Sequence, residues 1–144
     1  MVPKTRAAPQ ISNASEADAE QVVALWQACD LTRPWNDPVA DYHQALQNQT
    51  SAILLGRIEG DLVASVLTGY DGHRGWVYYL AVAPTAREQG LGRAMMAAAE
   101  QWLRERKAPK IQLMVRDDNR AAIGFYEALG YELQPVVTIG RRLD

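Results

Sequence analysis

A glycine-rich run lies in the second half of the chain, where Arg87-Glu88-Gln89-Gly90-Leu91-Gly92 follows an apolar segment and precedes a helical pattern. A turn that opens a helix exposes backbone N–H groups at the positive end of the helix dipole, and such a cluster favours a phosphate or pyrophosphate. Gly90 and Gly92 let a ligand approach the backbone, and Arg87 and Arg93 add positive charge nearby. By itself, the spacing is equally compatible with a plain tight turn between strand and helix.

Two common nucleotide-binding signatures are absent from the sequence. No Gly-x-x-x-x-Gly-Lys-Ser/Thr run occurs, which excludes a P-loop. The run at residues 87–92 also lacks the third glycine and the early chain position of a dinucleotide-binding fingerprint. A pyrophosphate bound at this turn therefore belongs to a ligand of another class.

Two loops carry further side chains that could do chemistry. Asp71 and His73 lie just before the apolar segment, and carboxylates and imidazoles are common general bases. Because the surrounding run Asp-Gly-His-Arg-Gly is also good turn chemistry, a plain loop is the alternative interpretation. Trp35, Asn36 and Asp37 lie between two prolines, and an indole beside a carboxylate suits a cationic amine. The alternative there is a proline-bracketed turn with Trp35 packed inward.

Hydrophobic periodicity predicts a first helix upstream of these loops. Val22, Leu25, Trp26 and Cys29 follow one another at helical spacing behind Ser15, a residue type that caps helices. The spacing places Cys29 in the core, as is usual for a free cysteine.

The rest of the chain alternates predicted strands and helices. The predicted strands are residues 51–58, 62–70, 76–82, 111–115, 131–133 and 136–143. The first two form a hairpin around Gly60, and a helix after the glycine turn connects residues 76–82 to residues 111–115 as a parallel crossover. Asp118 or Asn119 is the predicted cap of a last helix, which ends at Gly130.

Composition and charge limit the classes of protein to which the chain can belong. Its 144 residues, 48% hydrophobic and 22% charged, predict one globular domain over residues 10–144 after a loose leader at residues 1–9. The formal net charge of -2, without a basic stripe, argues against nucleic acid as a partner. No apolar run has the length of a membrane span or the form of a signal peptide. Since Cys29 is the only cysteine, we expect a cytoplasmic protein with no disulfide and no metal.

Two motifs make the chain resemble the GNAT acetyltransferases. Residues 82–92 are similar to the family's motif A, in which an Arg/Gln-x-x-Gly-x-Gly/Ala segment wraps the coenzyme A pyrophosphate with main-chain amides. Residues 119–131 resemble its Asn-x-x-Ala-x-x-Phe-Tyr-x-x-x-Gly-Phe/Tyr helix, and residues 29–38 and 69–75 resemble a small bacterial YpeA-like branch. The resemblance implies an α/β (α+β) GNAT fold, with a mixed central sheet of about six to seven strands and about four helices.

The resemblance also implies how acetyl-CoA is held and used. An amine attacks the thioester directly, so no nucleophilic serine or cysteine is needed. Tyr126 corresponds to the acid that protonates the departing thiolate, Asn119 meets the pantetheine arm, and a backbone N–H near Leu80 meets the oxyanion. The implied coenzyme contacts are Leu80, Ala81, Val82, Arg87, Glu88, Gln89, Gly90, Leu91, Gly92, Arg93, Asn119, Ala122 and Tyr126.

The general base and the acceptor are less well defined. Many relatives carry a glutamate on the central strand, whereas residues 76–82 contain no carboxylate, so Asp71, His73 or a water molecule is the expected base. The candidate acceptor contacts are Trp35, Asn36, Asp37 and Asp71.

The leading hypothesis is an N-acetyltransferase that acts on a primary amine of a small molecule or a protein. A non-catalytic acyl-CoA-binding module is the alternative. Neither a membrane nor a nucleic acid is an expected partner, and the oligomeric state stays open, a homodimer included.

Overall fold

The computed structural model describes residues 8–144, which form two compact units. The first unit runs to Met114 and the second is Val115–Asp144. Of the leader predicted at residues 1–9, residues 1–7 lie outside the described residues. The single domain over residues 10–144 stays a prediction.

The first unit is built on one five-stranded sheet in the order β1-β2-β3-β4-β5. The strands are β1 (Gln10–Asn13), β2 (Ser51–Ile58), β3 (Asp61–Tyr70), β4 (Gly75–Val82) and β5 (Ile111–Leu113). Neighbours from β1 to β4 are antiparallel, whereas β4 and β5 are parallel and are joined through a helix. The predicted hairpin between β2 and β3 is confirmed. Glu59 and Gly60 both have positive φ there, +51° and +85°, as a two-residue hairpin turn requires.

Helices α1 (Ala19–Ala28) and α2 (Pro38–Gln47) supply one part of the core. Trp26 and Tyr42 are fully buried and pack in one cluster with Ile53 and Leu55 of β2. Cys29 is partly buried against this cluster, and its thiol donates to the Val82 carbonyl at 3.2 Å. The cysteine that the spacing places in the core therefore lies at the edge of the core.

Helix α3 (Leu91–Glu105) connects β4 to β5 and packs closely on the sheet. Its buried residues are Leu91, Met95, Met96, Ala99, Trp102 and Leu103. The approach is closest at Gly75, where an added Cβ would lie 2.5 Å from Leu103 Cδ1. Only a residue without a side chain lets α3 come this near to the start of β4.

The second unit contains α4 (Arg120–Ala128) and the segment that follows it. The Asn119 side chain caps the helix by accepting from the Ala122 N–H at 3.1 Å, and Gly130 follows its end with φ +95°. The phenol ring of Tyr126 lies 5.0 Å from the Phe125 ring and 5.8 Å from the Tyr131 ring, measured between centroids.

The two closing strands predicted after α4 are not formed. Residues 131–144 contain no strand, and Leu133, Val136 and Ile139 are 74% exposed or more. Pro135 lacks the N–H that a ladder needs, which works against a continuous strand. The described residues therefore hold five strands and four helices, a mixed α/β class as predicted but with a smaller sheet than the predicted six to seven strands.

Candidate active site

The glycine turn leads directly into α3. Glu88 and Gly90 adopt left-handed conformations with φ +65° and +76°, and Gly90 is the N-cap of the helix. No side chain caps this end. Since the first-turn N–H groups of an α-helix have no partner within it, these donors are available to an anion.

Space around Gly90 is open on the side where a side chain would project. A Cβ built there would find no heavy atom within 4 Å. Glycine is thus required by the positive φ and not by crowding within the protein, and a ligand can approach the turn from this side. Arg87 and Arg93 are exposed near it and supply positive charge. These features fit a pyrophosphate.

Strands β4 and β5 pair over a short stretch only. The parallel register joins Gly75, Trp76 and Val77 to residues 111–113, and β4 then continues to Val82. Within the described residues, Leu80, Ala81 and Val82 have no partner on β5. This half of β4, next to the glycine turn in sequence, therefore makes no ladder hydrogen bonds with β5.

A bulge interrupts β4 at the same place. Leu67 pairs with Tyr78 and Ser65 with Ala81, so two residues of β4, Tyr79 and Leu80, oppose the single Val66 of β3. Tyr79 has φ +52°, a conformation that costs a residue with a side chain about 1–3 kcal/mol.

Three interactions hold Tyr79 in this conformation. Its ring stacks on Trp26, with centroids 3.9 Å apart and planes 9° apart. The Ser65 hydroxyl is fully buried, donates to the Tyr79 carbonyl at 3.3 Å and accepts from Trp26 Nε1 at 3.0 Å. The Tyr79 hydroxyl donates to Asp41 Oδ2 at 2.7 Å. Together these contacts hold the strained conformation of Tyr79 in place.

A cavity of about 400 Å³ adjoins the bulge. It lies between α2, β3 and β4 and is lined by Asp41, Gln44, Ala45, Asn48, Thr50, Ser51, Leu67, Gly69, Tyr70, Asp71, Trp76, Tyr78 and Tyr79. Its walls combine aromatic rings with carboxylates, a combination that suits a cation. Asp41 is not among the residues predicted for the site from the sequence. Its position one helical turn after Asp37 could have indicated it, because residues four apart on a helix share a face.

The residues predicted to bind the acceptor are not brought together. Trp35, Asn36 and Asp37 do not line the cavity. Asp37 instead caps α2, with Oδ1 accepting from the N–H groups of Val39 at 3.0 Å and Ala40 at 3.1 Å. Trp35 is 53% exposed, so it is not packed inward as the alternative interpretation expected, and its role in binding an acceptor stays a prediction.

Asp71 lines the cavity, but its carboxylate already accepts hydrogen bonds from neighbouring residues in the chain. Oδ1 accepts from the N–H groups of Arg74 and His73, each at 2.7 Å, and Oδ2 accepts from Trp76 Nε1 at 3.0 Å. These hydrogen bonds, above all those from the Arg74 and His73 backbones, hold the pKa of Asp71 below its usual range and weaken it as a base. His73 is exposed and does not line the cavity.

The remaining predicted residues belong to the second unit. Asn119 and Ala122 form the cap contact of α4, and Tyr126 is half-buried on the same helix. Burial raises the pKa of Tyr126 to about 12, so its phenol is protonated at neutral pH but is a weaker acid than a free tyrosine.

Comparison with known proteins decides the family. Residues 20–131 match the Acetyltransferase (GNAT) family. The chain is a member of the GNAT family. An acetyltransferase of Pectobacterium atrosepticum is 48% identical over 126 residues, which cover 88% of this GNAT chain and 89% of that protein. One of Yersinia enterocolitica is 45% identical over 128 residues, covering 89% and 91%.

Solved GNAT structures share the fold at lower identity. The aminoglycoside N-acetyltransferase AAC(6')-Iy in complex with CoA superposes with a TM-score of 0.82, at 18% identity and full coverage of both chains. A ribosomal-protein-alanine N-acetyltransferase from Brucella melitensis biovar Abortus 2308 gives 0.76 at 22% identity, covering 94% of this chain and 100% of that one. The predicted GNAT fold is confirmed.

Neither a candidate membrane span nor a candidate metal cluster occurs in the part of the chain that the structure describes. Within residues 8–144, no helix is both long and apolar enough to cross a membrane. Across the same residues, no group of three or more His, Cys, Asp or Glu side chains is placed to hold a metal ion.

Proposed function

We propose that this GNAT protein is an N-acetyltransferase that moves the acetyl group of acetyl-CoA directly to a primary amine. One observation carries the proposal: the uncapped glycine turn of α3 follows, in the chain, the half of β4 that has no β5 partner. The turn supplies donors for a pyrophosphate and the open strand edge supplies donors for an extended arm. The CoA bound in AAC(6')-Iy, which has the same fold, supports this choice of ligand.

The donor site uses backbone more than side chains. The N–H groups of residues 89–93 hold the pyrophosphate, with Arg87 and Arg93 adding charge. Leu80, Ala81 and Val82 bind the pantetheine arm along β4, and the Leu80 N–H stabilises the oxyanion. The fixed bulge at Tyr79 supports this role, because it holds the backbone at Leu80 in one conformation before substrate arrives.

The chemistry exchanges one bond for another. The neutral amine attacks the thioester carbonyl, so a nitrogen–carbon bond forms and the carbon–sulfur bond breaks. The amine loses a proton to water, and the leaving thiolate takes one from Tyr126, which solvent then reprotonates. Asp71 is a poorer base than a free carboxylate because three donors already occupy it. Asn119, the cap of α4, joins Tyr126 in binding the coenzyme.

The test is coenzyme-dependent thiol release. The protein is incubated with acetyl-CoA and a panel of primary amines and peptides, and free thiol is followed with a chromogenic disulfide. Amine-dependent release with a matching acetylated product is the expected result. Coenzyme binding without release across the panel would show a binding module without transfer activity, and absence of coenzyme binding would remove the donor site as well.

A further inference from the structure

Asp41 is a half-buried carboxylate in the cavity between α2, β3 and β4. Its neighbour is a neutral phenol, the hydroxyl of Tyr79, which donates to Oδ2 at 2.7 Å. Among the described residues that line this cavity there is no lysine, arginine or histidine. The partly buried carboxylate of Asp41 thus has no opposite charge in the cavity wall, which favours a cationic ligand.

The other residues of the cavity wall also favour a cationic ligand. Four aromatic residues line the cavity, namely Tyr70, Trp76, Tyr78 and Tyr79, and aromatic rings attract ammonium groups. Asp71 is the other carboxylate in the lining, but it already accepts hydrogen bonds from three nearby N–H groups. Asp41 is thus the carboxylate with room to accept from a ligand.

Asp41 is also tied to the bulge of β4. Burial, together with the hydrogen bond to Asp41, raises the pKa of the Tyr79 phenol, which keeps it protonated and donating. Tyr79 also provides the backbone next to Leu80. A cation bound at Asp41 therefore lies in the cavity beside the strand that we assign to the acetyl group.

The cation at Asp41 cannot readily be the nitrogen that reacts. An amine must lose a proton before it attacks, and a neighbouring carboxylate favours the charged ammonium and so opposes that loss. A group that stays charged throughout the reaction has no such conflict. We propose that the acceptor is a small diamine or polyamine-like molecule, in which Asp41 binds a second, non-reacting ammonium group while another amine is acetylated. This inference rests on the proposed acetyl transfer.

The experiment compares 1,5-diaminopentane with pentylamine, which has the same carbon chain and lacks the second charge. Thiol release gives kcat/KM for each amine, and calorimetry on the CoA complex gives each affinity. The wild-type protein should prefer the diamine by between about ten- and a hundred-fold, as expected for one charge-assisted hydrogen bond. Asp41→Asn should reduce this ratio to near one, and Asp41→Glu should restore part of it.

Matched controls separate the possible failures. Asp61→Asn removes an exposed carboxylate at the start of β3, outside the cavity lining, and should leave the ratio unchanged. Unaltered CoA affinity in each variant shows that the fold is intact. Equal or undetectable binding of the two amines by the wild type would overturn the inference, as would a preference that survives Asp41→Asn. Failure of thiol release with every amine despite CoA binding would instead overturn the proposed transfer reaction.

Discussion

Replacing Gly90 with alanine separates two reasons for having glycine at the start of α3. The left-handed φ of +76° disfavours any L side chain, by about 1–2 kcal/mol. A Cβ at this position would meet no protein atom within 4 Å, so no clash adds to that strain. The expected fall in Tm is about 3–8 °C.

The effect on coenzyme binding should be larger than the effect on stability. The new methyl group would occupy the open side of the turn, where we place the pyrophosphate. Losing one or more charge-assisted hydrogen bonds, each worth about 1.5–3 kcal/mol, would raise the Kd for CoA by at least about tenfold. Thermal unfolding measures the first effect and titration calorimetry with CoA measures the second.

Gly72→Ala is the matched control. Gly72 also has a positive φ, +92°, and open space around its Cβ position, but it lies in the loop before β4, at the opposite end of that strand from the glycine turn. Both variants should lose similar stability, and Gly90→Ala alone should lose CoA affinity. A folded Gly90→Ala protein that binds CoA as tightly as the wild type would refute the pyrophosphate site.

The remaining predictions concern catalysis, the bulge and acid stability. Tyr126→Phe should lower kcat while leaving the Kd for CoA nearly unchanged, and an unchanged kcat would remove Tyr126 as the acid. Ser65→Ala should cost about 1–3 kcal/mol in urea unfolding, because it leaves the buried Trp26 indole N–H without its acceptor, and no loss would contradict that account. The Ser15 backbone N–H holds the pKa of Asp18 below its ordinary value of 3.8. The ionised Asp18 carboxylate therefore contributes its full stabilisation above pH 3.8, and this stabilisation is lost as the pH falls through the lowered pKa of the folded state. Asp18→Asn should flatten the acid side of the stability profile, and an unaltered slope would contradict this.

Local chemistry explains why much of the fold could be predicted from the sequence. Gly60 in the β2–β3 hairpin and Gly90 before α3 occupy positions where the backbone itself demands glycine, so their spacing located both turns. The glycine turn also located the start of α3, whose first two buried residues are Leu91 and Met95. Each of these signals lies within a few residues of the feature that it predicts.

The cavity that we propose for the acceptor could not be found in this way because its walls come from distant parts of the chain. Asp41 meets Tyr79 across 38 positions, and nothing near either residue indicates the other. Tyr79 also breaks a local expectation, since an aromatic residue in a strand does not predict a positive φ. Its conformation depends on Trp26 and Ser65, which pack against it only in the folded protein.

Strand β4 fixes the distance between the two halves of the proposed site. Trp76 and Tyr79 lie in the cavity wall, and the same strand continues past the bulge to Val82, after which Pro84–Ala86 leads into the glycine turn. A strand rises about 3.3 Å per residue and alternates its faces, so one inserted or deleted residue would shift the turn and reverse the side chains beyond it. The length of this segment, more than any one side chain on it, sets the alignment of acetyl donor and acceptor.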